Sequence, residues 1–308
     1  MTLKYLIVGA TGGLGAEVLK YFINNVPAAD FAAGSSREST RADFESRGIA
    51  FRHVSYDDPA TLEAAFADVE NVLFVSTPIF DIERRNRQHK NFINAAKKMN
   101  VKHVWYTSLA FGGLTSDSKA LVQQSHYATE QWLKESGINF TSIREGAYID
   151  AFPVFINWYP ESKRIALPTD GRVAFALRSE LGEATARLMI QGGHDREIVL
   201  FTPNETITYS ELVSVISETT GRPIEFEVVS GEEYVRWAAE KDPGGKDEAF
   251  FRMVLTWHES IADGDLATTD PLMGEVLGRE ATTPKDAVRK LLLENPNYTW
   301  HQNYPRRK

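Results

Sequence analysis

The chain of 308 residues contains no cysteine. Without thiols it can form neither disulfides nor zinc–thiolate sites, and it has no cysteine nucleophile. Its 7 histidines show no His-x-x-x-His spacing, so the sequence indicates no metal site. These absences exclude thiol-dependent enzymes and are compatible with a reducing compartment.

The sequence also lacks a long apolar run and an excess of positive charge. No stretch approaches the roughly 20 apolar residues of a membrane-spanning helix, and the first residues lack the features of a secretion signal. The formal net charge of -8 disfavours a nucleic-acid-binding or membrane-binding surface. We therefore expect a cytoplasmic protein with no membrane contact and no direct nucleic-acid partner.

The first half of the chain alternates short apolar runs with helical patterns. Strands are predicted over residues 5–8, 31–34, 51–54, 71–76, 103–108 and 139–144. Helices are predicted between them over residues 16–25, 42–47, 61–67, 86–99 and 125–136. Six strands with intervening helices predict a mostly parallel, doubly wound sheet.

Beyond residue 144 the alternation loosens, and prolines interrupt the chain. Helices are predicted near residues 179–191, 209–220, 231–241 and 284–294, and strands over residues 197–201 and 224–229. We predict an α/β fold with a Rossmann-type NAD(P)-binding domain in residues 1–150. Residues 151–308 would form a smaller α/β substrate-binding or capping part, either separate from the first or interleaved with it.

The segment GATGGLG lies between the first strand and the first helix. Gly9 permits a tight turn, Gly12 lets the backbone approach a pyrophosphate, and Gly15 lets the helix pack closely on the strand. The helix N-terminus then offers free N–H groups and a favourable dipole to the phosphates. An isolated glycine triplet is weak evidence, but this strand–loop–helix setting predicts a dinucleotide site.

The residues after the second strand indicate which dinucleotide binds. NAD-preferring domains place an acidic residue there, to contact the ribose 2′-hydroxyl. This chain has Ser35, Ser36 and Arg37 instead, with Arg41 close behind. Hydroxyls and a guanidinium suit the additional 2′-phosphate of NADP. The alternative interpretation is that Arg37 and Arg41 are solvated loop charges.

Several segments together resemble the NmrA-like branch of atypical short-chain dehydrogenases/reductases, especially its NADPH-dependent quinone oxidoreductases. The resemblance extends over nearly the whole chain. It rests on GATGGLG, NNVPAADF, VSYDDPATLEAAF, RQHKNFINAAKKMNVKHVWYTS, YATEQWLKESGINFTSIREGAYID, RSELGEATARL, ISETTGRPI and TTPKDAV. The order and spacing of these segments are more distinctive than any one of them.

The resemblance implies NADP(H) as the cofactor and assigns its contacts. The pyrophosphate segment maps onto Gly9, Ala10, Thr11, Gly12, Gly13 and Leu14. The basic position for the 2′-phosphate falls on Ser36 or the adjacent Arg37, and Asp57 becomes an adenine neighbour. The ribose and nicotinamide contacts would be Ser76, Thr77, Pro78, Glu145, Gly146, Ala147 and Tyr148.

The chemistry departs from the usual short-chain dehydrogenase pattern. In that pattern a Tyr-x-x-x-Lys pair and a serine reduce a carbonyl, because the lysine lowers the tyrosine pKa. Here Gln131 follows Tyr127 four residues on, although Ser108 occupies the serine-like position. Tyr127 is therefore either a proton donor or a packing residue.

A quinone needs less acid assistance, because hydride delivery yields a comparatively stable anion. Such a site mainly positions the acceptor over the nicotinamide. We take Ser108, Tyr127 and Tyr148 as candidate catalytic residues, with His126 as a further proton-donor candidate or a structural residue. Four aromatic residues, Phe152, Phe155, Trp158 and Tyr159, would form either a substrate wall or core. The charge cluster Glu83, Arg84, Arg85 and Arg87 is expected to be a solvated face.

Three functions follow from these observations. The first is an NADPH-dependent oxidoreductase that transfers hydride to a quinone or similar conjugated carbonyl, with a small aromatic molecule as its partner. The second is a non-catalytic NADP(H)-binding redox sensor, which would act through a protein partner. The third is an enzyme of the same chemistry with a narrower pocket for one aromatic metabolite.

Overall fold

The apolar strands of the first half form one parallel sheet in the computed structural model, which describes residues 2–299. Met1 and residues 300–308, the end of the predicted second part, lie outside the described residues. The strands, in chain order, are β1 (Leu3–Val8), β2 (Phe31–Ser35), β3 (Ala50–His53), β4 (Val69–Phe74), β5 (His103–Leu109), β6 (Asn139–Glu145), β7 (Ala147–Tyr148), β8 (Arg164–Leu167), β9 (Arg172–Val173), β10 (Phe175–Ala176), β11 (Glu197–Phe201), β12 (Ile207–Thr208) and β13 (Glu225–Val228).

The central sheet has the strand order β11-β6-β5-β4-β1-β2-β3, and every pair in it is parallel. The chain runs outward from β1 in one direction through β2 and β3, and then in the other through β4, β5 and β6. A doubly wound sheet leaves a crevice where its order reverses, beside the carboxyl end of β1. The predicted parallel, Rossmann-type sheet is confirmed.

The helices follow the same alternation through the first half and dominate the second. In chain order they are α1 (Gly13–Asn25), α2 (Arg41–Ser46), α3 (Pro59–Phe66), α4 (Ile82–Lys98), α5 (Leu121–Ser136), α6 (Phe152–Ile156), α7 (Arg178–Gln191), α8 (Tyr209–Thr220), α9 (Gly231–Lys241), α10 (Glu248–Ala262), α11 (Leu272–Leu277) and α12 (Pro284–Glu294). In the part of the chain that the structure describes, none of them is both long and apolar enough to cross a bilayer.

Side chains of β1 divide between two cores, because successive residues of a strand point to opposite faces. Tyr5 and Ile7 pack with side chains of α1, α7 and α11. Leu6 and Val8 pack with side chains of α3, α4 and α5. With both faces of the sheet covered by helices, its strands are almost wholly buried, which explains their continuous apolar runs.

The second half contains a third core, built around α6, α8, α9, α10 and α12. Three two-stranded pairs, β7 with β10, β8 with β13 and β9 with β12, tie its segments together. Strand β11 does not belong to this part, because it pairs in parallel with β6 in the central sheet. The division of the chain near residue 150 into two parts, separate or interleaved, stays a prediction.

Candidate functional site

A cavity of about 370 Å³ lies at the carboxyl ends of the central strands. Its lining includes Gly12 after β1, Ser76 after β4, Ser108 in β5 and Glu145 at the end of β6. Apolar side chains from the second half complete it. Parallel α/β sheets bind ligands at this edge, so the cavity is the candidate active site.

The glycine loop is built by close backbone contacts. Gly9 has a positive φ of 79°, which side chains other than that of glycine rarely permit. A Cβ atom on Gly15 would lie 2.2 Å from the carbonyl oxygen of Gly9, so only glycine fits where α1 leaves the loop. Helix α1 has no side-chain cap and no acidic residue in its first turn. Its N–H groups are therefore available to a phosphate.

Arg178, the first residue of α7, lies over this loop. Its Nη1 atom is 2.2 Å from where a Cβ on Gly13 would stand, and 2.8 Å from a carboxylate oxygen of Asp150. The guanidinium also covers the ring of Tyr148, 4.7 Å from its centroid. The sequence motif RSELGEATARL contains Arg178, but nothing in the sequence places it at the phosphate loop.

The end of β2 joins the glycine loop through Ser35. The Ser35 hydroxyl lies 2.8 Å from the Thr11 hydroxyl and accepts a hydrogen bond of 3.1 Å from the Arg37 N–H. Ser36 and Arg37 are exposed, and Arg37 lines the cavity. Arg41 points elsewhere, because Glu38 and Glu45 bind its guanidinium at 2.6 and 3.3 Å.

The Asp57 carboxylate accepts hydrogen bonds from side chains of α4, and Asp57 does not line the cavity. Arg84 donates to its carboxylate at 2.7 Å and Gln88 at 2.9 Å, and the Arg84 hydrogen bond holds the pKa of Asp57 below its ordinary value. The predicted contact between Asp57 and adenine stays a prediction.

Ser76, Thr77 and Pro78 line the cavity as the loop between β4 and α4. The hydroxyl of Ser76 accepts a hydrogen bond of 2.6 Å from Arg85. The expectation of a solvated charge cluster is wrong for Arg85, whose side chain is 5% exposed. Arg85 precedes His89 and Phe92 by four and seven residues, so all three lie on the inner face of α4.

Hydrogen bonds determine the tautomers of two buried histidines. Arg85 donates to Nε2 of His126 across 3.1 Å, so Nδ1 carries the proton and donates to the Tyr106 hydroxyl at 2.7 Å. Thr129 donates to a backbone carbonyl and accepts from Nδ1 of His89 at 2.8 Å. Burial lowers the pKa of both histidines well below the ordinary value. His126 is neutral in this arrangement and has no proton to give into the cavity.

Ser108 reaches the cavity, but its proton is directed away from it. The hydroxyl donates to Oε1 of Glu130 at 2.9 Å, and Glu130 in turn pairs with the fully buried Arg144 at 2.7 Å. Ser108 therefore presents an accepting oxygen to a ligand. The Glu130–Arg144 ion pair is the charged group directly hydrogen-bonded to this serine.

The structure does not bring Tyr127 to the cavity lining. Its hydroxyl donates to the backbone carbonyl of Phe111 at 2.9 Å, and its ring packs 5.0 Å from the Arg144 guanidinium. Gln131 bonds to Glu135 on the exposed side of α5. This arrangement corresponds to the packing alternative for Tyr127.

The fully buried Glu145, at the end of β6, and the half-buried Tyr148 of β7 form a hydrogen-bonded pair, and both line the cavity. The Tyr148 hydroxyl donates to Oε2 of Glu145 at 2.5 Å, and Oε1 has no hydrogen-bond partner among residues 2–299. Burial raises the pKa of Glu145 to about 8 and the pKa of Tyr148 well above its ordinary value. Glu145 is therefore a neutral acid near pH 7.

Gly146 and Ala147 connect this pair to the second half. A Cβ on Gly146 would lie 2.6 Å from the carbonyl oxygen of Ala174, so the close backbone approach requires glycine. Ala147 pairs with Phe175 in the short β7–β10 ladder and lines the cavity. These contacts fix the chain direction immediately after Glu145.

The apolar lining differs from the predicted aromatic wall. Of the four expected residues only Phe155 lines the cavity, while Phe152 and Trp158 are fully buried and Tyr159 bonds to Asp242. The apolar lining residues include Phe80, Phe111, Val122, Val154, Phe155, Trp257 and Leu266. Trp257 comes from α10, a helix that the sequence analysis did not predict. In the described residues no cluster of three acidic or histidine side chains could hold a metal ion.

Comparison with known proteins gives a consistent set of relatives. The NmrA-like family matches residues 1–266. An NmrA-like family domain-containing oxidoreductase, flvB, from Aspergillus flavus is 56% identical over 307 residues, covering 99% of this chain and 100% of that protein. Quinone oxidoreductase 2 of Escherichia coli is 27% identical over 302 residues, covering 94% and 99%.

Solved structures agree with this set. Triphenylmethane reductase of Citrobacter sp., complexed with NADP(H), superposes with a TM-score of 0.83 at 28% identity, covering 93% of this chain and 99% of that one. The NADPH complex of the Escherichia coli quinone oxidoreductase gives a TM-score of 0.82 at 26% identity, covering 94% and 99%.

Proposed function

Because this chain belongs to the NmrA-like family, we propose that it is an NADPH-dependent oxidoreductase whose hydride acceptor is a quinone or a similar conjugated carbonyl compound. The observation that carries the proposal is the lining of one cavity. It combines a phosphate-binding loop, a buried neutral acid and an aromatic pocket. The acceptor is a small molecule that the apolar side chains enclose.

The residues present fit NADP(H). A Cβ on Gly15 would collide with the backbone of Gly9, and the first turn of α1 offers uncapped N–H groups to a pyrophosphate. Arg178 adds a guanidinium above the same loop. Ser36 and Arg37, exposed after β2, suit the 2′-phosphate.

When bound, NADPH supplies the hydride. The side chains Phe80, Phe155 and Trp257 hold a planar acceptor in an apolar setting, and Phe155 lies 5.4 Å from Trp257 between ring centroids. Exclusion of water there strengthens every polar interaction with the acceptor. A cavity of about 370 Å³ is large enough for a fused ring system.

Glu145 is the proton donor in this proposal. Hydride addition leaves the acceptor with a negative oxygen, and the carboxyl group of Glu145, which lines the cavity, supplies the proton that neutralises it. The Tyr148 hydroxyl, donating to Oε2 at 2.5 Å, then stabilises the carboxylate until water restores the proton. Ser108 accepts hydrogen bonds in this site and does not donate the proton, because Glu130 holds its hydrogen.

The test is steady-state oxidation of NADPH by purified protein with a panel of quinones, with Glu145→Gln as the site variant. We expect turnover by wild type and a loss of kcat of about 10²-fold or more in Glu145→Gln, the usual contribution of a general acid. Glu205→Gln, a change of the same type at an exposed loop residue, is the matched control. Tight NADPH binding with no oxidation by any quinone would refute the proposal and favour the redox-sensor alternative.

A further inference from the structure

Arg85 is a buried cation that has no counter-ion among the described residues. Its side chain is 5% exposed and lines the cavity beside Ser76 and His126. Within residues 2–299 no carboxylate lies within ion-pair distance of its guanidinium. Its contacts are the Ser76 hydroxyl at 2.6 Å, the Ile79 carbonyl at 3.1 Å and the His126 ring at 3.1 Å. All three are neutral groups.

Burying the Arg85 charge in this way reduces the stability of the folded protein when no ligand is bound. A buried guanidinium ordinarily pairs with a carboxylate, since removing the charge from water without a partner is strongly unfavourable. The Nε–H of Arg85 also lacks any partner in the described chain. The neutral histidines beside it supply acceptors but no negative charge. An anion that enters the cavity would provide the missing charge.

The cofactor phosphates belong to another part of the site. The glycine loop follows β1 and Arg37 follows β2, whereas Ser76 follows β4 and His126 bonds to Tyr106 of β5. In the strand order β2 and β5 lie on opposite sides of the β1–β4 pair, and neighbouring strands are about 4.8 Å apart. Arg85 therefore lies toward Ser108 and Glu145, away from the 2′-phosphate end.

The same residue adjoins the aromatic lining. Ile79, whose carbonyl binds Arg85, is followed directly by Phe80. The Phe80 ring packs 6.3 Å from that of Trp257 and 6.1 Å from that of Phe250. A ligand that contacts both features has an apolar ring system and an acidic substituent.

We infer that Arg85 binds an anionic group of the acceptor, so that the preferred substrates are conjugated or aromatic compounds carrying a carboxylate or an ionised hydroxyl. That the bound acid is a substrate rests on the proposed function, but the binding of such an acid to Arg85 does not depend on hydride transfer. The two ideas can therefore be tested separately.

The experiment is calorimetric titration of NADP⁺-loaded protein with 1-naphthoate and with the neutral, similarly shaped 1-naphthamide. We expect the carboxylate to bind about tenfold more tightly or better, because a charge-assisted hydrogen bond replaces a neutral one. The preference should disappear in Arg85→Met and persist in Arg87→Met, which removes an exposed charge from the same helix. Arg85→Lys keeps the charge and should retain part of the preference.

Equal binding of the two probes by wild type, or no binding of either, would overturn the inference. So would an unchanged preference in folded Arg85→Met. If Arg85→Met does not fold, the wild-type comparison and Arg85→Lys still decide the question. A protein that binds naphthoate selectively but oxidises no NADPH with any quinone would contradict the proposed function and leave the Arg85 site intact.

Discussion

Replacing Glu145 with glutamine should stabilise the protein in a pH-dependent way. The side chain is fully buried, and burial raises its pKa to about 8 from an ordinary 4.5. The folded protein therefore keeps the Glu145 proton in a pH range where the unfolded chain releases it. Glutamine is neutral at every pH, and its amide oxygen can still accept the Tyr148 hydrogen bond.

The sign and size follow from proton linkage. Below about pH 4.5 both the folded and the unfolded protein carry the Glu145 proton, so this group does not reduce the unfolding free energy. As the pH rises the unfolded chain releases the proton first, and the unfolding free energy falls. The loss is complete above about pH 8. Within that window wild type loses about 1.4 kcal/mol of unfolding free energy per pH unit relative to Glu145→Gln. From about pH 5.5 to about pH 7.5 the upper bound is roughly 2.7 kcal/mol, and relaxation around the buried charge reduces this to about 1–2 kcal/mol.

Urea denaturation of both proteins without cofactor, at the two pH values, measures this quantity. Titrations elsewhere in the chain cancel in the difference between the two proteins. Glu205→Gln, at an exposed position, should track wild type at both pH values. If the stability difference between Glu145→Gln and wild type is the same at both, Glu145 does not keep its proton and its role as an acid fails with it.

Three further results are expected. Gly15→Ala should lower the melting temperature and abolish NADPH binding, because its Cβ would stand 2.2 Å from the Gly9 carbonyl oxygen; a melting curve like that of wild type would contradict this contact. Arg37→Gln should weaken NADPH binding by about tenfold while sparing NADH, whereas Arg41→Gln should change neither; fluorescence titration distinguishes the two. Tyr127→Phe should lower the unfolding free energy by about 1 kcal/mol through loss of the bond to Phe111, with kcat within about twofold of wild type; a large loss of kcat would place Tyr127 in the chemistry after all.

Much of the fold is encoded locally. The alternation of apolar runs and helical periods predicts six of the seven central strands, whereas it predicts β11 as a strand of the second part. The family, the parallel sheet and the oxidoreductase class are confirmed. The clear failure is α10, Glu248–Ala262, which went unpredicted. Phe250, Phe251, Thr256 and Trp257 favour strands, and burial against the third core decides in favour of a helix.

The site is harder to predict from the sequence than the fold, for reasons that differ between residues. Arg85 could have been placed on the inner face of α4, because it precedes His89 and Phe92 at helical spacing. Trp257 could not have been placed in the cavity, because it is far from the glycine loop in sequence and only tertiary packing brings the two together. The Tyr148–Glu145 contact depends on the turn at Gly146, which the approach of the Ala174 backbone determines.

The return of β11 to the central sheet has a consequence for dissecting the protein. A fragment ending near residue 150 would lose β11 and α7, and with them the strand paired with β6 and the helix packed on α1. Strand β6 would become an open edge of buried residues, a template for pairing with other chains. We expect such a fragment to aggregate, whereas a cut in the loop between β11 and β12 would leave every strand of the central sheet in place.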